Sequence, residues 1–199
     1  MPREPGPWWV EFGQLPYRDA WQLQRDVLEA RLRGAIPDTV LVGSHPPTYT
    51  VGRAWRGDFQ AEAARLPHPA HAVERGGLWT YHGPGQWIAY PIVALGGPGF
   101  PKRDAMAFLR AMEDWGLAIC RAVGVAAVRR EGASGLWLDA GGQGGPTRKL
   151  GSIGLAFRRW TAWHGLAINL QAADLQGFSA ISPCGFSPEA IGCLEGEAG

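Results

Sequence analysis

The fold class follows from two neighbouring apolar stretches, Lys149-Leu-Gly-Ser-Ile-Gly-Leu-Ala-Phe-Arg158 and Thr161-Ala-Trp-His-Gly-Leu-Ala-Ile-Asn-Leu170. Each has the length of a long strand, and Arg158-Arg-Trp160 between them is typical of a hairpin turn. The two stretches therefore predict a pair of adjacent strands. Because both strands are strongly apolar, they are expected to lie in the core of the domain.

Helical spacing of apolar residues occurs at two places upstream of this pair. The first runs from Tyr17 to Arg33 and ends at Gly34, and the second begins after a cap at Asp104 and ends at Gly124. Shorter apolar segments predict further strands at 39–43, 72–75, 87–93, 125–129 and 136–139. Residues 54–71 predict a loop with one helical turn, and both chain ends predict irregular or extended backbone. This order predicts a mixed α+β fold, with residues 1–199 forming a single domain that has a mixed sheet and flanking helices.

Composition excludes several classes of protein. The chain has 199 residues and a formal net charge of +1, which argues against a protein that coats nucleic acids with Lys and Arg. No apolar run approaches the roughly 20 residues that span a bilayer, and the first residues lack the apolar core of a secretory signal. The three cysteines have no metal-ligand spacing. We therefore expect a cytoplasmic protein with reduced thiols that binds no metal, nucleic acid or membrane.

A glycine-rich polar segment, Arg75-Gly-Gly-Leu-Trp-Thr-Tyr-His-Gly-Pro-Gly-Gln86, is the first candidate for a functional site. Glycines let the backbone approach a ligand closely, and the Arg, Thr, Tyr and His side chains supply hydrogen-bond donors. The segment is equally compatible with ordinary turn glycines between two strands. It lacks the glycine and lysine pattern of a phosphate-binding loop.

Three single residues are further candidates. Lys149 is one of only two lysines in a chain that otherwise uses arginine, so its titratable amine stands out, although an isolated lysine is more often a solvated surface residue. His164 lies in an apolar strand and could equally be a core histidine. Cys184 lies between Pro183 and Gly185 in a loop, a better context for a nucleophile than Cys120, whose helical register predicts a core residue. A cysteine attacks as the thiolate and needs a cation beside it.

Together these segments resemble the lipoyl(octanoyl) transferase family. The resemblance rests on motifs in the same order along most of the chain: His45-Pro-Pro-Thr-Tyr-Thr-Val-Gly-Arg53, Arg75-Gly-Gly, Thr80-Tyr-His-Gly-Pro-Gly-Gln86, Tyr90-Pro-Ile92, Gly135-Leu-Trp-Leu-Asp139, Lys149, Ser152-Ile-Gly154, His164-Gly-Leu-Ala-Ile-Asn169 and Pro183-Cys-Gly185. It implies a fold similar to the catalytic domains of biotin protein ligases and lipoate ligases.

The resemblance also implies a reaction. Octanoyl-acyl carrier protein would donate its acyl group to a cysteine, and the resulting thioester acyl-enzyme would pass the group to a specific lysine amine. The acceptors would be lipoyl domains of 2-oxoacid dehydrogenases and the glycine-cleavage H protein, which makes the step part of lipoate biosynthesis and protein lipoylation. No cofactor is implied, because the thioester arrives activated, and the protein is expected to act as a monomer.

Site residues follow from the same motifs. Cys184 resembles the nucleophile, and Lys149 resembles the residue that lowers the pKa of that thiol and shuttles the proton. The implied acyl pocket comprises Arg75, Gly76, Gly77, Leu78, Trp79, Thr80, Tyr81, His82, Ser152, Ile153, Gly154, Gly165, Leu166 and Ala167. His164 and Asn169 are expected to support it. Leu78-Trp79 departs from the usual family pattern, and Trp79 is expected to narrow the pocket.

Other functions remain open from the residues alone. An ATP-dependent lipoate or biotin protein ligase of the related fold would need no nucleophilic cysteine. A binding module would give no turnover. A cysteine hydrolase would need a third partner for His164, and the spacing of the sequence offers none. If the acidic partners dock by charge, a basic surface is expected to receive them, formed by Arg53, Arg56, Arg158 and Arg159.

Overall fold

The computed structural model describes residues 6–138, 147–181, 190–195 and 197. Within these ranges, ten strands and three α-helices follow one another: β1 (Trp8–Gln14), α1 (Tyr17–Leu32), β2 (Thr39–Ser44), β3 (Thr48–Val51), α2 (Phe59–Ala63), β4 (Ala70–Ala72), β5 (Trp79–His82), β6 (Gln86–Ala94), α3 (Ala105–Ala122), β7 (Ala127–Arg130), β8 (Ala133–Leu138), β9 (Arg148–Arg158) and β10 (Thr161–Asn169). A 3-10 helix, Ala172–Ala180, follows the last strand. The predicted mixed α+β fold is confirmed.

The larger sheet has seven strands in the order β1-β2-β6-β10-β9-β8-β7. Its β1–β2 pair is parallel, and every other neighbouring pair is antiparallel, so the sheet is mixed as predicted. β9 and β10 form the predicted hairpin, with Arg158 opposite Thr161. Its two turn residues, Arg159 and Trp160, have φ values of 50° and 63°, the left-handed conformation that a two-residue hairpin of this twist requires.

The two long helices cover opposite faces of this sheet. On one face α3 buries Phe108, Met112 and Cys120 against β8, β9 and β10. On the other face Leu28 of α1 packs against a cluster that includes Trp163. Asp104 caps α3 as predicted, because its carboxylate accepts hydrogen bonds from two backbone N–H groups of the first turn, each 2.9 Å long. Such a cap stabilises a helix by about 1 kcal/mol.

A smaller sheet, in the order β4-β3-β5, packs against the 3-10 helix. Its core contains Tyr49, Trp79, Tyr81 and Phe178. The sequence did not single out this sheet, because β3, β4 and β5 have only three or four residues each. The predicted strand at 72–75 is wrong in position: β4 ends at Ala72, and the chain then bends towards the glycine pair.

None of the helices in the described ranges is long and apolar enough to cross a membrane. The predicted helical turn within 54–71 corresponds to α2, which begins after Asp58. Cys193 is buried, and its thiol lies 3.5 Å from the Glu195 carbonyl oxygen. The loop that carries Cys184 lies outside the described residues.

Candidate functional site

A cavity of about 440 Å³ runs beside β9. Its walls come from α3, from the turn between β7 and β8, from β5 and from the segment that begins at Arg75. Lys149 and Leu155 both line it, and Leu155 lies six residues further along the extended strand β9, which is about 20 Å. The cavity is therefore elongated, with Lys149 towards one end and the Arg75-Gly76-Gly77 segment near Leu155 towards the other.

Lys149 is a buried residue and not a surface lysine, since its relative exposure is only 4%. Its ammonium lies 5.2 Å from the centre of the Trp137 ring, within the range of a cation–π contact. Gly135 lies directly beside it. A β-carbon at Gly135 would come within 2.7 Å of Lys149 Cε, so glycine at this position leaves the space that the lysine side chain occupies.

The glycines of the cavity mainly allow backbone segments to approach one another. Gly76 donates its N–H to the Leu155 carbonyl at 2.9 Å, which fixes the glycine pair to β9. A β-carbon at Gly154 would lie 2.8 Å from Arg75 Cδ, and one at Gly165 would lie 2.1 Å from the Ala89 carbonyl oxygen. At these two positions the absence of a side chain serves protein packing, in addition to any space that it leaves for a ligand.

Arg75 is anchored in the cavity wall by Thr50. Its guanidinium donates to the Thr50 carbonyl oxygen at 2.8 Å and to Thr50 Oγ1 at 2.8 and 3.3 Å. His82 Nε2 lies 3.4 Å from the same hydroxyl. Burial, together with the nearby charges of His45 and Arg75, holds the pKa of His82 well below its usual value. His82 is therefore a neutral group in the cavity at physiological pH.

His164 lines the cavity in a strained conformation. Its φ of 57° is rare for a residue other than glycine, and its backbone N–H donates to Gln24 Oε1 at 3.2 Å. Its Nε2 lies 3.6 Å from the Glu74 carboxylate, beyond hydrogen-bond distance, and makes no hydrogen bond within the described ranges. Burial raises the pKa of Glu74, but His164, the backbone and Trp21 outweigh that effect and lower it to about 2. Glu74 is a carboxylate beside His164 that sequence spacing did not reveal.

The structure brings most of the predicted site residues to this one cavity. Those that line it are Arg75, Gly76, Gly77, Leu78, Thr80, His82, Lys149, Ser152, Ile153, Gly154, His164, Gly165, Leu166 and Ala167. The side chains of Trp79 and Tyr81 do not, because alternate residues of β5 face opposite sides and these two pack in the core of the smaller sheet. Trp79 therefore does not narrow the cavity. Asn169 lies outside the lining, and Cys184 lies outside the described residues.

Several cavity residues were not predicted from the sequence. Tyr17 and Tyr90 contribute buried rings, and Met106 and Leu109 contribute apolar side chains from α3. Met106 is nevertheless 59% exposed. That high exposure reflects its place in the first turn of the helix, beyond the core contacts. No group of three or more His, Cys, Asp or Glu residues in the described ranges could hold a metal ion.

Comparison with known proteins shows which family and which relatives this chain is similar to. Residues 16–199 match the family model described as Lipoyl protein ligase A/B catalytic domain. An octanoyltransferase of Mycobacterium leprae is 39% identical over 189 residues, which cover 95% of this chain and 77% of that protein. An octanoyltransferase of Acidothermus cellulolyticus is 41% identical over 187 residues, covering 94% of this chain and 80% of that protein.

Solved structures agree on the fold. A lipoate-protein ligase A bound with ATP superposes with a TM-score of 0.68 at 13% identity, covering 96% of this chain and 77% of that chain. A bipartite lipoate protein ligase from Thermoplasma acidophilum gives 0.65 at 15% identity, covering 88% and 66%. At these identities the likeness concerns the fold alone, whereas the sequence relatives share most of their length at about 40% identity. The chain belongs to the lipoyl(octanoyl) transferase family.

Proposed function

We propose that this protein transfers an octanoyl group from octanoyl-acyl carrier protein to a lysine amine on a lipoyl domain or on the glycine-cleavage H protein. The observation that carries the proposal is the elongated cavity with a buried lysine towards one end, in a chain about 40% identical to octanoyltransferases. An apolar acyl chain would lie along β9, and its thioester would lie near Lys149. We expect the protein to work as a monomer in the cytoplasm.

The proposed chemistry uses Cys184 and Lys149. The Cys184 thiolate attacks the thioester carbonyl, the carrier thiol leaves, and a Cys184 thioester forms. The acceptor lysine amine then attacks this thioester, an amide forms, and the Cys184 thiolate is released. Lys149 as an ammonium favours the thiolate before acylation. As the acyl-enzyme forms, Lys149 gives its proton to the leaving carrier sulfur, and its neutral amine then takes the proton of the attacking lysine amine.

Lys149 suits this role because of where it is buried. Its ammonium is close to an indole face and largely removed from water, and interactions between charges are stronger in such surroundings than in solvent. An arginine could supply the charge, but it could not give up its proton.

Intact mass spectrometry tests the proposal directly. The protein is mixed with octanoyl-acyl carrier protein, and we expect a mass increase of one octanoyl group that the Cys184→Ala variant lacks. Adding apo-H protein should then move the group to the acceptor. Cys120→Ala is the matched control, since Cys120 lies on the buried face of α3 and its replacement should leave both steps intact.

A parallel assay with other substrates distinguishes the proposed transferase from an ATP-dependent ligase of the related fold. If the protein octanoylates or lipoylates the H protein from the free acid and ATP, and does not do so from the carrier thioester, the transferase proposal is wrong. Release of free octanoate in place of modified acceptor would instead indicate a hydrolase. Turnover by the Cys184→Ala variant at the wild-type rate would contradict the covalent route.

A further inference from the structure

A continuous chain of buried hydrogen bonds connects the wall of the cavity with the C-terminal segment. Thr50 Oγ1 lies 3.4 Å from His82 Nε2, and His82 Nδ1 lies 3.1 Å from Gln86 Oε1. Gln86 Nε2 donates to Asn169 Oδ1 at 2.9 Å, and Asn169 Nδ2 donates to the Gly192 carbonyl at 2.8 Å. The side chains of Thr50, His82, Gln86 and Asn169, which form this series of hydrogen bonds, are all buried. Neither Gln86 nor Asn169 lines the cavity, so both act through other groups.

The orientation of each amide in this chain is determined by a backbone carbonyl, which can only accept. The Gly192 carbonyl requires the NH₂ group of Asn169, so Asn169 Oδ1 points towards Gln86. Gln86 must then donate, and its Nε2 also donates to the Tyr81 carbonyl at 3.2 Å. Gln86 Oε1 is thereby left to accept, and it lies 3.1 Å from His82 Nδ1.

His82 therefore has a defined tautomer. Its Nδ1 carries the proton and donates to Gln86, and its Nε2 is the unprotonated nitrogen. The Thr50 hydroxyl accepts from Arg75 and donates to that nitrogen. Every donor in the series thus points the same way, from the Arg75 guanidinium to the Gly192 carbonyl, and hydrogen bonds aligned in this way strengthen one another.

The far end of the chain reaches Lys149. Gly192 donates its own N–H to the Lys149 carbonyl at 3.0 Å, and Ile191 forms an isolated bridge with Lys149. Gly192 is thus held on one side by the strand residue Lys149 and on the other by the Asn169 amide. Residues 190–195, which include Gly192, follow Cys184 in the sequence.

We propose that Gln86 and Asn169 are positioning residues of this site: they fix His82 as the Nδ1–H tautomer in the cavity wall and hold Gly192 against Lys149. The proposal rests on the proposed acyl transfer for its kinetic consequence only. A displacement of reacting groups by about 1 Å can cost about 10²-fold in rate. We therefore expect Gln86→Met to lower kcat for octanoyl transfer by about 10- to 100-fold while KM changes less than twofold.

Two variants at Gln86 distinguish positioning from simple structural support. Met fills a similar volume but provides no acceptor, so the proton of His82 should move to Nε2 in a measurable fraction of molecules. Glu retains an acceptor for His82 Nδ1, so the tautomer should persist and kcat should recover in part relative to Met. A purely structural role predicts the reverse order, because a buried carboxylate costs more than a buried thioether.

Nitrogen-15 NMR of the histidine side chains measures the tautomer of His82 without any substrate. The His82 signal is identified by its loss in the His82→Asn variant. Thr39→Val serves as the control, because it removes the hydrogen bond from the buried residue Thr39 to the Pro37 carbonyl, and neither residue lines the cavity. Protonation of Nε2 in the wild-type protein would overturn the proposal, as would a wild-type tautomer and kcat in Gln86→Met. If the wild type transferred no octanoyl group, the proposed function would fail and the tautomer would still test the role of Gln86.

Discussion

Replacing Thr50 by valine tests the anchoring of Arg75 in the cavity wall. Valine has the same shape but no hydroxyl, so Arg75 loses an acceptor at 2.8 and 3.3 Å, and His82 Nε2 loses its donor. Thr50 is completely buried and Arg75 is 8% exposed, so water cannot readily replace the lost partner. A hydrogen bond to a charged group contributes about 1.5–3 kcal/mol. Thr50→Val should therefore lower the free energy of unfolding by about that amount.

Thr48→Val is the matched control for this measurement. Thr48 lies two residues away on the same strand, is also buried, and donates only to the neutral Pro69 carbonyl at 3.0 Å. Its loss should cost about 0.5–1.5 kcal/mol. For a chain of this size, each kcal/mol corresponds to about 2–4 °C in Tm. Urea unfolding with an unchanged m-value gives the comparison, and equal losses for the two variants would refute the proposed importance of the Arg75 contact.

Three further expectations concern catalysis, pH and docking. The Lys149→Arg variant should still form the Cys184 acyl-enzyme, but its transfer to the acceptor amine should be slower by about 10²–10⁴-fold, the usual contribution of general base catalysis. Single-turnover mass spectrometry measures this rate. Transfer at the wild-type rate would exclude Lys149 as the base. Burial lowers the pKa of His45 to about 4 in the folded protein. As the pH falls, the unfolded chain therefore binds a proton at this residue before the folded protein does. The free energy of unfolding should decrease by up to about 3 kcal/mol as the pH drops from about 6.5 to 4. Urea unfolding across that range should show a shallower loss in His45→Gln, and an identical slope would contradict the assignment. Arg158 lies nine residues from Lys149 along β9, about 30 Å, and it already pairs with Glu29. Charge reversal of Arg158 and Arg159 should therefore change the KM for the carrier protein less than twofold. A tenfold rise in this KM would instead show that these two arginines belong to the docking surface.

The long elements were predictable because each carries a repeated local signal. α3 shows apolar residues at helical spacing behind a capping Asp104, and β9 and β10 are continuous apolar strands joined by a two-residue turn. The short strands of the smaller sheet carry three or four residues each and little periodicity. Assigning β5 from the sequence would also have placed Trp79 and Tyr81 away from the cavity, because strand residues alternate between faces.

The candidate site was predictable as a set of residues but not as a set of contacts. Motifs in the sequence identified Arg75, His82 and Lys149, which all line the cavity. Their partners come from distant parts of the chain: Thr50 is 25 residues from Arg75. Such pairings depend on how the two sheets and α1 pack together, and no local pattern in the sequence encodes them. Glu74 beside His164 is a further example, since Glu74 precedes the motif by one residue and carries no signal of its own.

The choice of lysine at residue 149 has a physical explanation in the surrounding fold. Gly135 and Trp137 of β8 both lie beside it. The glycine leaves space for the aliphatic part of the lysine side chain, and the Trp137 indole makes a cation–π contact with the ammonium. Gly135 has a φ of 130°, and its missing β-carbon would also come within 2.5 Å of the Gly151 carbonyl oxygen, so this space depends on glycine and cannot be widened by moving a flexible side chain. A guanidinium would carry the same charge beside this indole face, but it cannot release its proton at neutral pH. In a chain whose other Lys and Arg residues, apart from Lys102, are arginines, lysine at residue 149 therefore places a titratable amine in the cavity wall.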